Sequence, residues 1–294
     1  MVARTGSIRK AAEQLNITST ALNRRVIGLE EELGVQIFER LPQGVRLNVA
    51  GELLIQHIRQ SMADMSKVLS QISDLSGVRR GHVQIAGGSE AIGAFLPSRI
   101  ALYRQEHTGV SFEILRRAPD AALKALANFE ADLALIFGSV PGTEFQTLAS
   151  VQLDLALAMH PDHPLAKQAE IRMIQCQDFP FIMPAEGSGL QTLIQVAQQK
   201  HGIKFSTAIT SESHEFTAHY LKYENAISFQ LPLGGSNQSP DSHYLVQRPI
   251  AKRDKMSGLL HLVQLKGRVL SVAAAKFADQ LLQHFNTTYP DSTH

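Results

Sequence analysis

The pentapeptide Gly87-Gly88-Ser89-Glu90-Ala91 sets a serine at a strand-to-helix turn and approximates the Gly-x-Ser-x-Gly of a nucleophile elbow, with alanine at the last position. Acyl transfer from such a serine needs a base and a group to orient it. Twelve histidines offer a base by count alone, and no second hydrolase motif accompanies the serine. The same small polar residue types recur at Gly138 and Ser139, in the stretch PAEGSGL that holds Glu186, Ser188 and Gly189, and at Ser211 and His214. Hydroxyls, carboxylates and glycine N–H groups repeated at strand ends suit the binding of a small polar or anionic molecule, because helix N-termini present free N–H groups there. Ser89, Glu90, Gly138, Ser139, Glu186, Ser188, Gly189, Ser211 and His214 are therefore the candidate ligand residues. Each taken singly reads as a turn or a helix cap, and the recurrence carries the binding reading. His160 and His163 in HPDHP lack a third metal ligand and read as a surface loop. Cys176, alone and without flanking basic residues, reads as an inert thiol. Neither a metal nor a cofactor is expected.

A second chemistry is electrostatic. Between Thr5 and Leu29 the chain carries Arg9, Lys10, Arg24 and Arg25 against one acid, Glu13, before Glu30, Glu31 and Glu32 arrive together. Residues 1–80 hold 11 Lys and Arg against 8 Asp and Glu, while the remainder holds 17 against 19, so a basic head stands on a slightly acidic body. Such a head points to a polyanion.

The elements that must position these groups follow from spacing. Ser7 caps a helix through Ile8, Ala11, Ala12 and Leu15; Asn16 tolerates the left-handed turn that ends it; Thr18 caps a second helix. In that helix Leu22, Val26, Leu29 and Leu33 form one apolar stripe closed by Gly34, and Ser19, Thr20, Asn23 and Arg24 lie away from it. The arrangement is a helix-turn-helix whose second helix fits a major groove of double-stranded DNA, with a small solvated helical hairpin as the bland alternative. Two short apolar segments around a Pro42-Gln43-Gly44 turn, flanked by Arg40 and Arg46, read as a wing. Thr18, Ser19, Thr20, Asn23, Arg24, Arg25, Arg40 and Arg46 are the candidate DNA contacts.

Residues 6–52, GSIRKAAEQLNITSTALNRRVIGLEEELGVQIFERLPQGVRLNVAGE, resemble the winged helix-turn-helix of LysR-type transcriptional regulators, with the Ala-Ala pair, LEEELG, FER and AGE in one register. Three features depart from the family pattern. Ser19, Thr20 and Asn23 stand where the family usually has Gln, Pro and Ser; Asn48 stands for Thr; and the usual apolar first helix is missing ahead of Ala3. The expectation is that the native start lies upstream or that Ile8, Leu15, Leu22 and Val26 are short of cover. From Gly51 to about Leu75, the seam Ile58, Met62, Met65, Leu69 and Ile72 alternates spacings of four and three, as in a pairing helix. The resemblance makes this the dimerising linker, followed by a hinge in SGVRRGH, residues 76–82.

Beyond it, strands alternate with helices over residues 91–106, 119–129, 190–201, 214–223 and 269–285, a pattern expected to give parallel sheets with helices on their faces. Two lobes with a crossover and a return resemble the periplasmic-binding-protein-like effector domain of the same family. Here the family's glycine-rich GxGIALLP becomes ENAISFQLP, residues 224–232, so the hinge side of the cleft is expected to be more polar through Asn225 and Ser228. The expected fold class is a mixed α+β and α/β chain: a winged helix-turn-helix over residues 1–50, a linker helix over 51–79 and an effector domain over 80–294. Within the last, lobe I is taken as about 82–150 with 255–290, and lobe II as about 151–250. The expected function is effector-controlled, sequence-specific regulation of transcription. The resemblance implies a homo-oligomer, dimer or tetramer, with RNA polymerase as a candidate further partner. One cysteine, and no apolar run near the ~20 residues of a membrane span, give a cytoplasmic expectation with no membrane partner. The competing classes are a solute-binding protein, which would lack the basic head, and an α/β hydrolase-like enzyme using Ser89.

Overall fold

The computed structural model describes residues 1–75, 80–89, 91–233 and 245–289, which form two compact units, Met1–Met65 and Ser66–His294. Glu90 and residues 76–79 of the expected hinge lie outside the described residues.

The first unit opens with α1 (Val2–Thr5), a single turn, and α2 (Ile8–Gln14), capped by the Ser7 side chain on the Lys10 N–H. Asn16 takes φ 53°, and Thr18 then caps α3 (Ser19–Leu33) through the Ala21 N–H. Strands β1 (Phe38–Leu41) and β2 (Gly44–Leu47) make an antiparallel wing. Gly44 is required there, since a Cβ would sit 2.2 Å from the Gly6 carbonyl oxygen. Val2, Ala11, Ala12 and Leu22 are buried together, with Ile8, Ile17, Val26, Phe38 and Val45 packed around them. Leu22 is thus covered after all, because Val2 of α1 joins its cluster, whereas Leu15 stays 42% exposed and Leu29 39%. Glu30 Oε1 accepts the Ile37 and Phe38 N–H groups at 2.8 and 3.2 Å and ties α3 to the wing.

Helix α4 (Val49–Leu75) begins with Asn48, which accepts from the Gly51 N–H at 2.9 Å and donates to the Gln36 carbonyl at 2.8 Å. Asparagine therefore serves as a cap where the family usually has threonine. Ile58, Met62, Met65, Leu69 and Ile72 are all exposed along the helix.

The second unit has two five-stranded sheets. One orders as β4-β3-β5-β12-β6: β3 (Arg80–Gly87), β4 (Gly109–Arg116) and β5 (Leu133–Phe137) run parallel, and β12 (Ser257–Leu265) lies antiparallel to both β5 and β6 (Phe145–Asp154). The other orders as β11-β7-β10-β8-β9, where β8 (Pro180–Pro184), β9 (Ser206–Ser211) and β10 (Ile227–Gln230) are parallel, and β7 (Ala156–Met159) and β11 (Val246–Pro249) pair antiparallel. The sheets are mixed rather than parallel. The reversed strand in each sheet is one that no helical crossover joins to its neighbours: β12 lies antiparallel between β5 and β6, and β7 antiparallel between β10 and β11. The first sheet keeps β6 up to Asp154, some residues past the approximate lobe limit read at 150, and Leu155 alone then leads into β7 of the second sheet.

Helices α5 (Leu96–Glu106), α6 (Pro119–Ala127), α7 (Gly189–His201), α8 (His214–Tyr220) and α9 (Val272–Thr288) cover the sheets. Along α9, Ala273, Ala274, Phe277, Ala278, Leu281 and Phe285 are buried at helical spacing. Ala273 lies so close to β3 that a Cβ on Gly81 would fall 2.6 Å from its methyl. In the second sheet Phe181, Phe205 and Phe229 cluster with ring centroids 4.7 to 5.5 Å apart. His163 is not on a surface loop: it is 1% exposed, packs on Phe179 and caps the turn at Leu165. The Cys176 thiol is buried and pushed up to about 12, first by loss of solvation and then by the Asp254 charge, which leaves little thiolate.

Burial lowers the pKa of His163, His261 and His284, and the Arg99 charge lowers that of His284 further. With folded values below the ordinary ~6.5, the unfolded chain binds more protons once the pH falls below that value. Stability is then full above it and declines as pH falls toward the folded values. The melting temperature is expected to drop between pH 7.5 and 5.5, and His284→Gln, which keeps an acceptor for Arg99, should flatten that drop. An equally steep drop in the variant would show that His284 does not contribute.

Candidate functional site

On the first unit, α3 presents Thr18, Ser19, Thr20, Arg24 and Arg25 at exposed positions and Asn23 at a half-buried one. Among the described residues neither Arg24 nor Arg25 has a recorded ion pair, so both guanidiniums are available to an anion. Arg40 and Arg46 are exposed on the wing. Arg46 faces Glu39 across the hairpin and bonds it at 2.7 Å, a partner that the spacing of the sequence did not reveal.

Within the second unit, a cavity of about 230 Å³ opens where strands of both sheets end. Ser89, Glu186, Ser188, Gly189, Ser211 and His214 all line it, as expected from their recurrence at strand ends. Gly138 and Ser139 do not: Gly138 turns its N–H to the Leu259 carbonyl at 2.9 Å, and Ser139 is exposed outside the lining. Asn225 is likewise exposed and away from the cavity, whereas Ser228 lines it and donates to the Ile182 carbonyl at 3.2 Å.

The hydroxyls are not equivalent. Ser188 caps α7 through the Gln191 N–H, and the Ser211 hydroxyl accepts from the Ser213 N–H within its own turn. Ser89 instead reaches across to the second sheet and donates to the Glu212 carbonyl at 2.8 Å. Close approach of the two sheets is built in at Gly189, where a Cβ would lie 2.0 Å from the Phe137 carbonyl oxygen. The N-terminal ends of α6, α7 and α8 contribute Pro119, Gly189 and His214 to the lining, and serine side chains cap α7 and α8 there.

Sequence reasoning missed Arg116, Arg117, Thr217 and Gln230, which also line the cavity. The signal for the arginines was their place at the end of VSFEILRR, a strand that ends at the cleft. Gln230 is 5% exposed, its Oε1 accepts from Gln247 at 2.9 Å, and its Nε2 has no partner among the described residues. Its signal was the polar residue that departs from the apolar GIALLP pattern. Among the described residues no group of three or more His, Cys, Asp or Glu is placed to hold a metal ion, and no helix is long and apolar enough to cross a membrane.

A winged helix-turn-helix and a two-sheet body with a cleft occur together in known proteins. Residues 1–52 match the bacterial regulatory helix-turn-helix protein, lysR family, and residues 76–286 match the LysR substrate binding domain. The chain belongs to the LysR family of transcriptional regulators. It is 26% identical over 286 residues to the uncharacterized HTH-type transcriptional regulator YybE of Bacillus subtilis (strain 168), covering 97% of this chain and 96% of that one. Its fold resembles full-length CbnR complexed with target DNA, with a TM-score of 0.66, 17% identity and coverage of 96% of both chains. It also resembles the effector binding domain of QuiR in complex with shikimate, with a TM-score of 0.59, 20% identity and coverage of 71% of this chain and 99% of that one. This LysR-family chain is therefore a DNA-binding transcriptional regulator with an effector-binding domain. The enzyme and solute-binding readings fall, because the proteins it matches are regulators.

Proposed function

We propose that α3 of this regulator enters the major groove with Ser19, Thr20, Asn23 and Arg24 toward base edges, while Thr18, Arg25, Arg40 and Arg46 hold phosphates. The exposed N-terminal turns of α3, with two arginines free of recorded carboxylate partners, support that docking face. Residues 1–50, 51–79 and 80–294 act as DNA-binding head, pairing helix and effector domain. The exposed seam of α4 pairs with a second copy, since a row of methionine, leucine and isoleucine this long is costly to leave in water. Pairs of such dimers form a tetramer, the protein works in the cytoplasm, and RNA polymerase is the partner through which it acts on transcription.

The observation that carries the effector reading is the cavity itself, lined by Ser89, Glu186 and His214 and by a buried amide with an unused donor, Gln230. A buried N–H without a partner costs free energy that a ligand acceptor recovers. A small polar metabolite bound there draws the two sheets together and, through the pairing helices, changes the separation of the heads on DNA. The test is a thermal-shift screen of polar metabolites against the full chain. A ligand at 100 times its Kd stabilises by roughly 2.7 kcal/mol. Its shift is expected to vanish in Ser89→Ala combined with Gln230→Leu, while DNA binding persists. A metabolite whose shift survives that double substitution binds elsewhere and overturns the cleft assignment.

A further inference from the structure

The loop between β9 and α8 is tied to the opposite sheet by three contacts at one residue. Ser89 Oγ donates to the Glu212 carbonyl at 2.8 Å, Arg116 Nη1 reaches the same oxygen at 3.4 Å, and Arg116 Nη2 reaches Glu212 Oε1 at 3.2 Å. Ser89 follows β3 and Arg116 ends β4, both in the first sheet, whereas Glu212 follows β9 of the second. The carboxylate itself is held only by Arg116 Nη2, the kind of guanidinium contact that an acidic ligand in the same cavity would use.

Two further donor groups face the same cavity. Arg117 lines the cavity without a recorded carboxylate partner among the described residues, its Nη1 going to the Arg116 carbonyl at 3.0 Å. Gln230 Nε2, on a residue that is 95% buried, has no partner among the described residues. The Arg116 and Glu212 side chains are themselves 51% and 74% exposed, so their pair is screened by water and easily exchanged. The buried pair of Arg268 and Asp132, at 9% and 10%, could not be exchanged in this way.

We propose that Glu212 is an internal stand-in for the effector's acidic group. An effector bearing a carboxylate takes the place of the Glu212 side chain on Arg116, and a second acceptor oxygen of the same molecule receives the Gln230 Nε2–H. Glu186 at the rim accepts from any hydroxyls the molecule carries. Displacing the Glu212 side chain gives up the Arg116 Nη2 contact alone; the Ser89 and Arg116 Nη1 contacts to the Glu212 carbonyl stay, so the anion is exchanged while the β9 to α8 loop remains held to the first sheet. The proposal rests on the reading of the cavity as the effector site.

The test uses the full chain with ¹³C-labelled leucine methyls, watching Leu190, Leu231 and Leu233 of the cavity wall, titrated with glycolate and with the uncharged glycolamide at constant ionic strength. In Glu212→Gln, glycolate is expected to bind about two- to fivefold more tightly than in the unaltered chain, the factor set by losing an exposed ion pair. Glycolamide should bind alike in both, and Arg116→Ala should lose the preference for glycolate. Equal glycolate affinity in the unaltered chain and Glu212→Gln overturns the stand-in role. An equal gain for glycolamide also overturns it, because Glu212→Gln would then merely have opened the cleft. If glycolamide moves the cavity methyls and glycolate is not preferred, the carboxylate class is wrong and the effector site stands. If neither probe moves them in any variant, the effector reading falls together with the proposal. Unchanged leucine methyl signals outside the cavity serve as the folding control, and both substituted side chains are exposed.

Discussion

Replacing Arg24 with alanine is expected to weaken binding to a partly palindromic duplex by about 1 to 3 kcal/mol, the discrimination that one side chain gains from a base edge. The duplex comes from repeated selection of a random pool by the full chain. Because the proposed docking face also neutralises phosphates, affinity should fall steeply with salt, with a slope near −0.9 per phosphate contacted. Arg46→Ala should weaken binding to all sequences alike, and less than Arg24→Ala, since Glu39 at 2.7 Å already competes for its guanidinium. Met62→Lys with Leu69→Lys puts two charges into the exposed seam of α4, and light scattering should then report a smaller assembly that no longer favours two half-sites over one. Binding that survives Arg24→Ala and Arg46→Ala together, with an unchanged salt slope, would place the DNA on another face.

The largest expected loss of stability comes from Arg268→Met. Arg268 donates to the Ala131 carbonyl at 2.7 Å and to Asp132 Oδ1 at 2.5 Å, with side-chain exposures of only 9% and 10% for the ion pair. Asp132 Oδ2 in turn accepts the Gln84 N–H at 2.9 Å, so the pair fastens the start of β5 to β3. Burial raises the Asp132 pKa even though Arg268 and the Gln84 bond oppose it, which shows how much that carboxylate depends on its partner. Removing one member of a buried pair costs about 3 to 5 kcal/mol because the other charge is left stranded. Urea unfolding of Arg268→Met should show a loss of that size, and Asp132→Asn combined with Arg268→Met should recover part of it. A loss below about 1 kcal/mol would mean that water reaches Asp132 and that the pair is not effectively buried.

The local elements of this protein were legible in its amino-acid sequence because they depend on neighbours three or four residues apart. Ser7, Asn16, Thr18 and Gly34 mark the ends of α2 and α3, and the seam from Ile58 to Ile72 marks α4, since caps and helical periodicity act within a few turns. The family followed from many short motifs in one register, and six of the nine ligand candidates line the cavity because strand ends and helix starts are themselves local features. Strands β6 and β11 were not legible. Both belong to sheets only through partners far along the chain, β12 and β7, and a ladder partner leaves no periodic trace. Nor could residue types separate Ser188, whose hydroxyl caps its own helix, from Ser89, whose hydroxyl crosses to Glu212. The approach of Arg116 and Ser89 to a residue roughly a hundred positions away, and the burial of Gln230 with an unused N–H, exist only once two sheets close on a common space. Tertiary structure alone decides which polar groups are satisfied, because satisfaction depends on distance in space and not along the chain.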